Sequence, residues 1–303
     1  MYCIQVGIPQ SNCLLILKIW LVSNMNNTVS SMHALLAAFT YVGSHINKDL
    51  QGKAWVGHTP FAYWLIAALK PKLLVELGTH DGGSYFSFCQ SVIDNGLDTK
   101  TYAVDTWMGE EHAGFYSESI FEKVLNFNNE HFASFSTLMK MKFDEALNEF
   151  DDGSVDLLHI DGFHSYEAVS NDFNTWYPKL SEEAVVLFHD THEIKPGFGV
   201  HQFWDELKNE HYEQCFEFKH SHGLGVCFPK SSKAAINFKN ELSLDLEKIF
   251  NVFSIIGDDI YYNLNGRYSL PKSHPLSLDQ LENILKQIKT DNPELANQLK
   301  TLL

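Results

Sequence analysis

Cysteine is scarce and unpaired in this 303-residue chain. The five cysteines, Cys3, Cys13, Cys89, Cys215 and Cys227, are odd in number and widely spaced, with no C-x-x-C pair. That excludes a disulfide framework and a zinc knuckle as organising devices, and a reduced, cytoplasmic compartment is expected. Basic charge is also short: 22 Lys+Arg stand against 38 Asp+Glu, a formal net charge of -16, and no Lys/Arg run occurs. Neutralising a phosphate backbone needs a basic surface, so no nucleic-acid partner is expected. Long apolar runs are missing. The longest early one, Cys13 to Val22, carries Lys18 and falls short of the roughly 18 residues that span a bilayer. It has no basic leader and no small-residue cleavage site, so neither a membrane span nor a signal peptide is expected. Repeats and low-complexity tracts are absent too. What remains is ordinary globular composition, 45% apolar and 20% charged. The length allows one large domain with appendages.

The chain divides by texture. The segment 1–32 reads as an alternative-start extension or a loosely attached arm. Helical spacing runs from His33 to Val42 and from Phe61 to Lys70, where Pro71 stops it, which gives a helical cap over 33–70. Over 71–229, short apolar strands alternate with helices. Strands are expected at Lys72–Leu77, Thr101–Asp105, Leu138–Lys142, Val155–Ile160 and Ala184–Phe188, and a closing antiparallel pair at Phe216–Lys219 and Gly223–Pro229. Helices are expected from the glycine turn to about Gly96, at Ser119–His131, Asp144–Phe150 and Tyr166–Tyr177. This alternation predicts an α/β fold: a doubly wound, mostly parallel, seven-stranded Rossmann-like sheet with helices on both faces. From 230 to 303 the chain reads as a charged, amphipathic helical extension suited to partner packing or self-association.

Ligands of open parallel sheets bind beyond the carboxyl ends of the strands. The unusual residues of this sequence fall at such ends: Glu76 and Gly78, Asp105, Asp161 and His164, His189 and Asp190. Gly78, Gly82 and Gly83 permit a tight turn with close ligand approach. Their G-x-x-x-G-G spacing fails the dinucleotide fingerprint. Asp105 at the end of the next strand suits a ribose diol, so loop and acid together point to an adenosine-type ligand. Asp161, His164, His189 and Asp190 can converge on one crevice as metal ligands or as an acid–base set. The stretch Trp107 to Tyr116, with Glu110, Glu111, His112 and Phe115, puts aromatics beside carboxylates, which suits a sugar site and equally an adenine-covering loop or plain surface packing. Trp55 and His58 are candidates to close the pocket, whereas His131, His211, His220 and His222 read as scattered polar residues.

The segment Glu76-Leu-Gly-Thr-His-Asp-Gly82 resembles the E-x-G-x-G-x-G loop of class I S-adenosylmethionine-dependent methyltransferases, with His80 in place of the middle glycine. Asp161-Gly-Phe-His-Ser-Tyr-Glu167 and Phe188-His-Asp-Thr191 look like the I-D-G-x-H-x-Y-E subfamily, which includes sugar and macrolide O-methyltransferases and cephalosporin hydroxylase-like proteins. The resemblance covers roughly Lys72 to Pro229. It implies S-adenosylmethionine as cofactor, with contacts from Glu76, Gly78, Thr79, Gly82, Ser84, Asp105, Thr106, Trp107, Asp144 and Asp161. It also implies a divalent metal, magnesium or manganese, on Asp161, His189 and Asp190, where His189 replaces the usual acidic residue. Catalysis falls to Asp161 and to His164 as general base. The acceptor implied is a carbohydrate or other small molecule of polysaccharide or natural-product biosynthesis. A homo-oligomer or a glycosyltransferase is the expected partner. Two rivals are an iron-dependent hydroxylase using His189, Asp190 and His192, and a cofactor-binding subunit without catalysis.

Overall fold

The computed structural model describes residues 54–110, 114–115, 117–210 and 214–231, with isolated residues at 234, 236, 238, 253, 254 and 257. The 1–32 extension, the expected helix at His33–Val42, Glu111, His112, Tyr116, His211 and most of the C-terminal extension lie outside the described residues.

A 3-10 turn, Val56–His58, leads into α1 (Thr59–Leu69), where Pro60 sits in the first turn, a position that needs no backbone donor. The helix is apolar almost all round and buried, and Lys70 ends it in the left-handed region before Pro71. Next come β1 (Leu73–Leu77), α2 (Gly83–Asp94) and β2 (Lys100–Asp105). The aromatic-rich stretch folds into a small antiparallel hairpin, β3 (Gly109–Glu110) with β4 (Gly114–Phe115). Then follow α3 (Glu118–His131), β5 (Ser136–Lys140), α4 (Phe143–Ala146), β6 (Val155–Ile160), α5 (Tyr166–Trp176), β7 (Leu180–His189), α6 (Val200–Glu210), β8 (Cys215–Phe218) and β9 (Leu224–Cys227).

Seven strands form one sheet in the order β5-β2-β1-β6-β7-β9-β8. The first five run parallel, and β9 joins β7 and β8 antiparallel, as the sequence pattern predicts. Among the described residues, α6 is the α-helix that the expected elements do not include. Its apolar residues Val200, Phe203, Trp204 and Leu207 carry the i, i+3, i+4, i+7 signal of an amphipathic helix and are buried.

Strand alternation splits the core into two layers. Leu74, Leu157, Val185 and Leu187 face α1 and α2, while Val75, Leu77, Leu158, Ile160, Val186 and Phe188 face α5 and α6. The same period assigns Glu76, His159 and His189 to the α1/α2 face, near the strand ends. Three ionisable side chains therefore lie inside this buried layer.

Candidate active site

The β1–α2 turn is built by Gly78 and Gly82, both at positive φ (89 and 84). A Cβ on Gly78 would lie 2.1 Å from the Asp161 carbonyl oxygen, so glycine here lets the end of β1 close against the end of β6. Asp105 holds this loop. Its Oδ2 accepts from the amides of Thr79 and His80, each at 2.9 Å, and its Oδ1 accepts from the Trp107 amide at 2.7 Å. Trp107, itself buried, donates its indole N–H to the His80 carbonyl at 2.8 Å. His80, at φ 48, is thus held through both its backbone amide and its carbonyl.

Below the loop, Glu76 and His159 are paired neighbours on β1 and β6, and both are fully buried. His159 Nδ1 lies 2.8 Å from Glu76 Oε2, and the Trp55 indole N–H donates to His159 Nε2 at 3.2 Å. An indole nitrogen only donates, so His159 Nε2 is the unprotonated nitrogen and Nδ1–H is directed at Glu76. Burial pushes the Glu76 carboxyl above the ordinary range, and the His159 contact opposes that rise. Glu76 Oε1 meets no hydrogen-bond donor of ordinary geometry among the described residues.

The ends of β6 and β7 bring four groups together. His164 Nε2 is 2.9 Å from Asp190 Oδ2. The His164 ring stacks on Phe198 at 4.7 Å, and its carbonyl accepts from the Gly199 amide at 2.7 Å. His189 Nδ1 faces Asp161 Oδ1 at 3.2 Å and Asp190 Oδ2 at 3.5 Å, while Nε2 faces the Ser221 carbonyl at 3.1 Å. A carbonyl and a carboxylate both accept, so both nitrogens of His189 donate and the ring is an imidazolium. Burial alone would lower its pKa, but Asp190 and Asp161 raise it well above the usual value. Burial would raise the two carboxyls, and His189 holds both below theirs, Asp190 furthest. Asp190 sits at φ 61, a strained conformation that aims its side chain back at the cluster.

Loop and cluster border one cavity of about 520 Å³. Of the expected cofactor contacts, Gly78, Thr79, Ser84, Asp105, Thr106, Asp144 and Asp161 line it. Glu76, Gly82 and Trp107 stand behind the wall. His164, His189 and Asp190 line it too, as does Trp55, whereas His58 is buried behind. Asp161, His164 and Asp190 offer donor atoms within 4.8 Å of one another, while His189, expected beside Asp161 and Asp190 as a metal ligand, directs Nδ1 at those two carboxylates and Nε2 at the Ser221 carbonyl. The hydroxylase triad does not assemble, because His192 turns to Glu217 (3.3 Å) and lies outside the lining. His222, expected to be a scattered polar residue, instead lines the cavity. Among groups that the sequence did not single out, Phe198 stacks on His164, Ser221 supplies the carbonyl for His189, and Asp172 projects from α5, its carboxyl pushed up to about 7 by burial and then by Asp144. No local pattern marks them.

The strand order, the glycine loop and the carboxylate at the end of β2 together make a class I methyltransferase fold. Residues 75–191 match the family model of a methyltransferase domain. An uncharacterised protein of Sinorhizobium fredii is 51% identical to this chain over 175 residues, which covers 58% of this chain and 19% of that protein. One of Acanthamoeba polyphaga mimivirus is 30% identical over 127 residues, covering 40% of this chain and 52% of that protein. The chain thus spans about a fifth of the one and about half of the other. Among solved structures, the O-methyltransferase TomG of Streptomyces achromogenes, involved in tomaymycin synthesis and solved with S-adenosylmethionine, aligns with TM-score 0.45 and 12% identity. That alignment covers 67% of this chain and 100% of TomG. Among the described residues, no helix of the methyltransferase domain or its flanks is long and apolar enough to cross a membrane.

Proposed function

We propose that the methyltransferase domain transfers a methyl group from S-adenosylmethionine to a hydroxyl of a small-molecule acceptor, a sugar or a glycosylated compound. One observation carries this reading: the glycine loop held by Asp105 and the Asp161–His164–Asp190 cluster border the same cavity. When bound, the cofactor supplies an electrophilic methyl group on a sulfonium. Thr79, Ser84, Asp105 and Asp144, which line the cavity, would hold it, and Glu76 Oε1 keeps acceptor capacity at the foot of the loop. His164 would take the proton of the acceptor hydroxyl, and Asp190 at 2.9 Å would stabilise the resulting imidazolium. Asp190 and the Phe198 stack fix the ring for that role. Phe163 and Phe198 line the cavity among carboxylates, which supports a sugar-like acceptor whose apolar face stacks while its hydroxyls donate. The much greater length of the Sinorhizobium relative fits a domain that works joined to, or beside, another catalytic unit such as a glycosyltransferase in the cytoplasm. Calorimetry with S-adenosylmethionine, followed by release of its demethylated product over a panel of sugars and glycosides, tests the reading. Absence of cofactor binding by the folded protein overturns it.

A second reading rests on the donor geometry of the cluster. Two carboxylates and one imidazole suit a divalent ion, manganese better than magnesium because of the nitrogen donor. His164 would then be a ligand and not a base, and the ion would supply charge to orient the hydroxyl. Chelation separates the two. Activity that survives EDTA supports the metal-free base, whereas activity lost and restored by manganese supports the metal.

A further inference from the structure

Cys215 and Cys227 lie outside the cavity, on the two strands of the β8–β9 hairpin, and nothing in the methyl-transfer reading uses them. We infer that they form a dithiol that closes reversibly to a cross-strand disulfide and clasps the hairpin carrying the Ser221 turn. The register places them directly opposite each other. Both side chains join the core layer on the α5/α6 side, so they project to the same face. The Phe228 amide donates to the Gln214 carbonyl at 3.0 Å, which makes Gln214 and Phe228 a hydrogen-bonded pair. Their neighbours Cys215 and Cys227 are therefore a non-hydrogen-bonded pair, the kind whose Cα atoms approach to about 4.5 Å. That separation falls within the roughly 4.4–6.8 Å that a disulfide spans.

Exposure orders the chemistry. Cys215 is half-buried and Cys227 is buried, so Cys215 meets an external oxidant first. With oxidised glutathione, the Cys215 thiolate attacks one sulfur and expels a glutathione thiolate, leaving a mixed disulfide. The Cys227 thiolate then attacks the Cys215 sulfur and expels the second glutathione. Two protein thiols are oxidised, one glutathione disulfide is reduced, and two protons are released. The Cys227 thiol is held well above its ordinary pKa by the Cys215 contact and by burial, which makes the second step the slow one. The clasp matters to the site through the hairpin's turn. Ser221 and His222, at φ 48 and 70, present the Ser221 carbonyl to both His58 and His189 at 3.1 Å. A bond at the open end of the hairpin restricts the motion of that turn.

The test uses the full chain, incubated with oxidised glutathione at mildly alkaline pH, alkylated and peptide-mapped by mass spectrometry. The expected result is a Cys215–Cys227 linked peptide, two hydrogens lighter than the dithiol, reversed by dithiothreitol. A rise in thermal midpoint of about 5–10 °C should accompany it. Cys227→Ser should stop at a glutathione adduct on Cys215, and Cys215→Ser should form no cross-link. Wild-type protein that keeps both thiols alkylatable, that stops at the Cys215 adduct, or that links either cysteine to Cys89 overturns the inference.

Discussion

Asp105 accepts three backbone amides, so its carboxylate is an element of loop architecture as well as the proposed ligand for a ribose. Bonds to a charged acceptor are each worth about 1.5–3 kcal/mol. Asp105→Ala should therefore weaken S-adenosylmethionine binding by about ten- to a hundredfold or more. It should also lower the urea midpoint, because the loop loses its anchor. Asp105→Asn, which keeps one acceptor oxygen, should fall between. Unchanged calorimetric affinity in Asp105→Ala would remove the ribose assignment. His164 belongs to the same scale. As the proposed base, it should slow turnover by about 10²–10⁴-fold when replaced by alanine, with little effect on cofactor affinity. If His189→Gln slows turnover instead while His164→Ala does not, the base is the wrong histidine.

At the scale of elements, two contacts fix how β1 meets its neighbours. Gly78 lets the strand end press on the Asp161 carbonyl, and a methyl group there has no room. Gly78→Ala must also hold a left-handed φ, so it should cost about 1–3 kcal/mol in a denaturant titration and degrade cofactor binding together with stability. Gly96, also at positive φ but with open space around its Cβ position, is the control and should lose less. Trp55 acts from the segment before α1. Trp55→Phe keeps an aromatic ring against Phe88 and His159 but leaves buried His159 Nε2 without its donor. A loss of about 1–3 kcal/mol is expected. Cofactor affinity should weaken with it, because His159 no longer has one enforced tautomer toward Glu76. Equal affinity in both proteins would detach Trp55 from the site.

For the whole molecule, the buried histidines set the pH response. The folded pKa of His189 is raised above its unfolded value of about 6.5. Its contribution is therefore fully present below that value and is lost as pH rises through the folded pKa. Above about pH 6.5 stability should therefore fall with rising pH until the folded pKa is passed, and His189→Gln should flatten the slope. His220, lowered to about 4 by burial, acts oppositely: its contribution holds above about 6.5 and fades as pH drops toward 4. Chemical denaturation across this range checks both limbs. The sequence by itself determined the order of strands and helices, the glycine turn and the placing of Asp105, Asp161 and Asp190 at strand ends. These are written in periods of two and 3.6 residues and in the backbone needs of single glycines, all of them short-range. Only the tertiary structure decided that His159 rather than solvent meets Glu76, and that Asp190 belongs to both His164 and His189. It alone turned His189 into a fixed cation and set Cys215 opposite Cys227. Those outcomes depend on which strands become neighbours and in what register, and pairings across tens of residues leave no local trace in the chain.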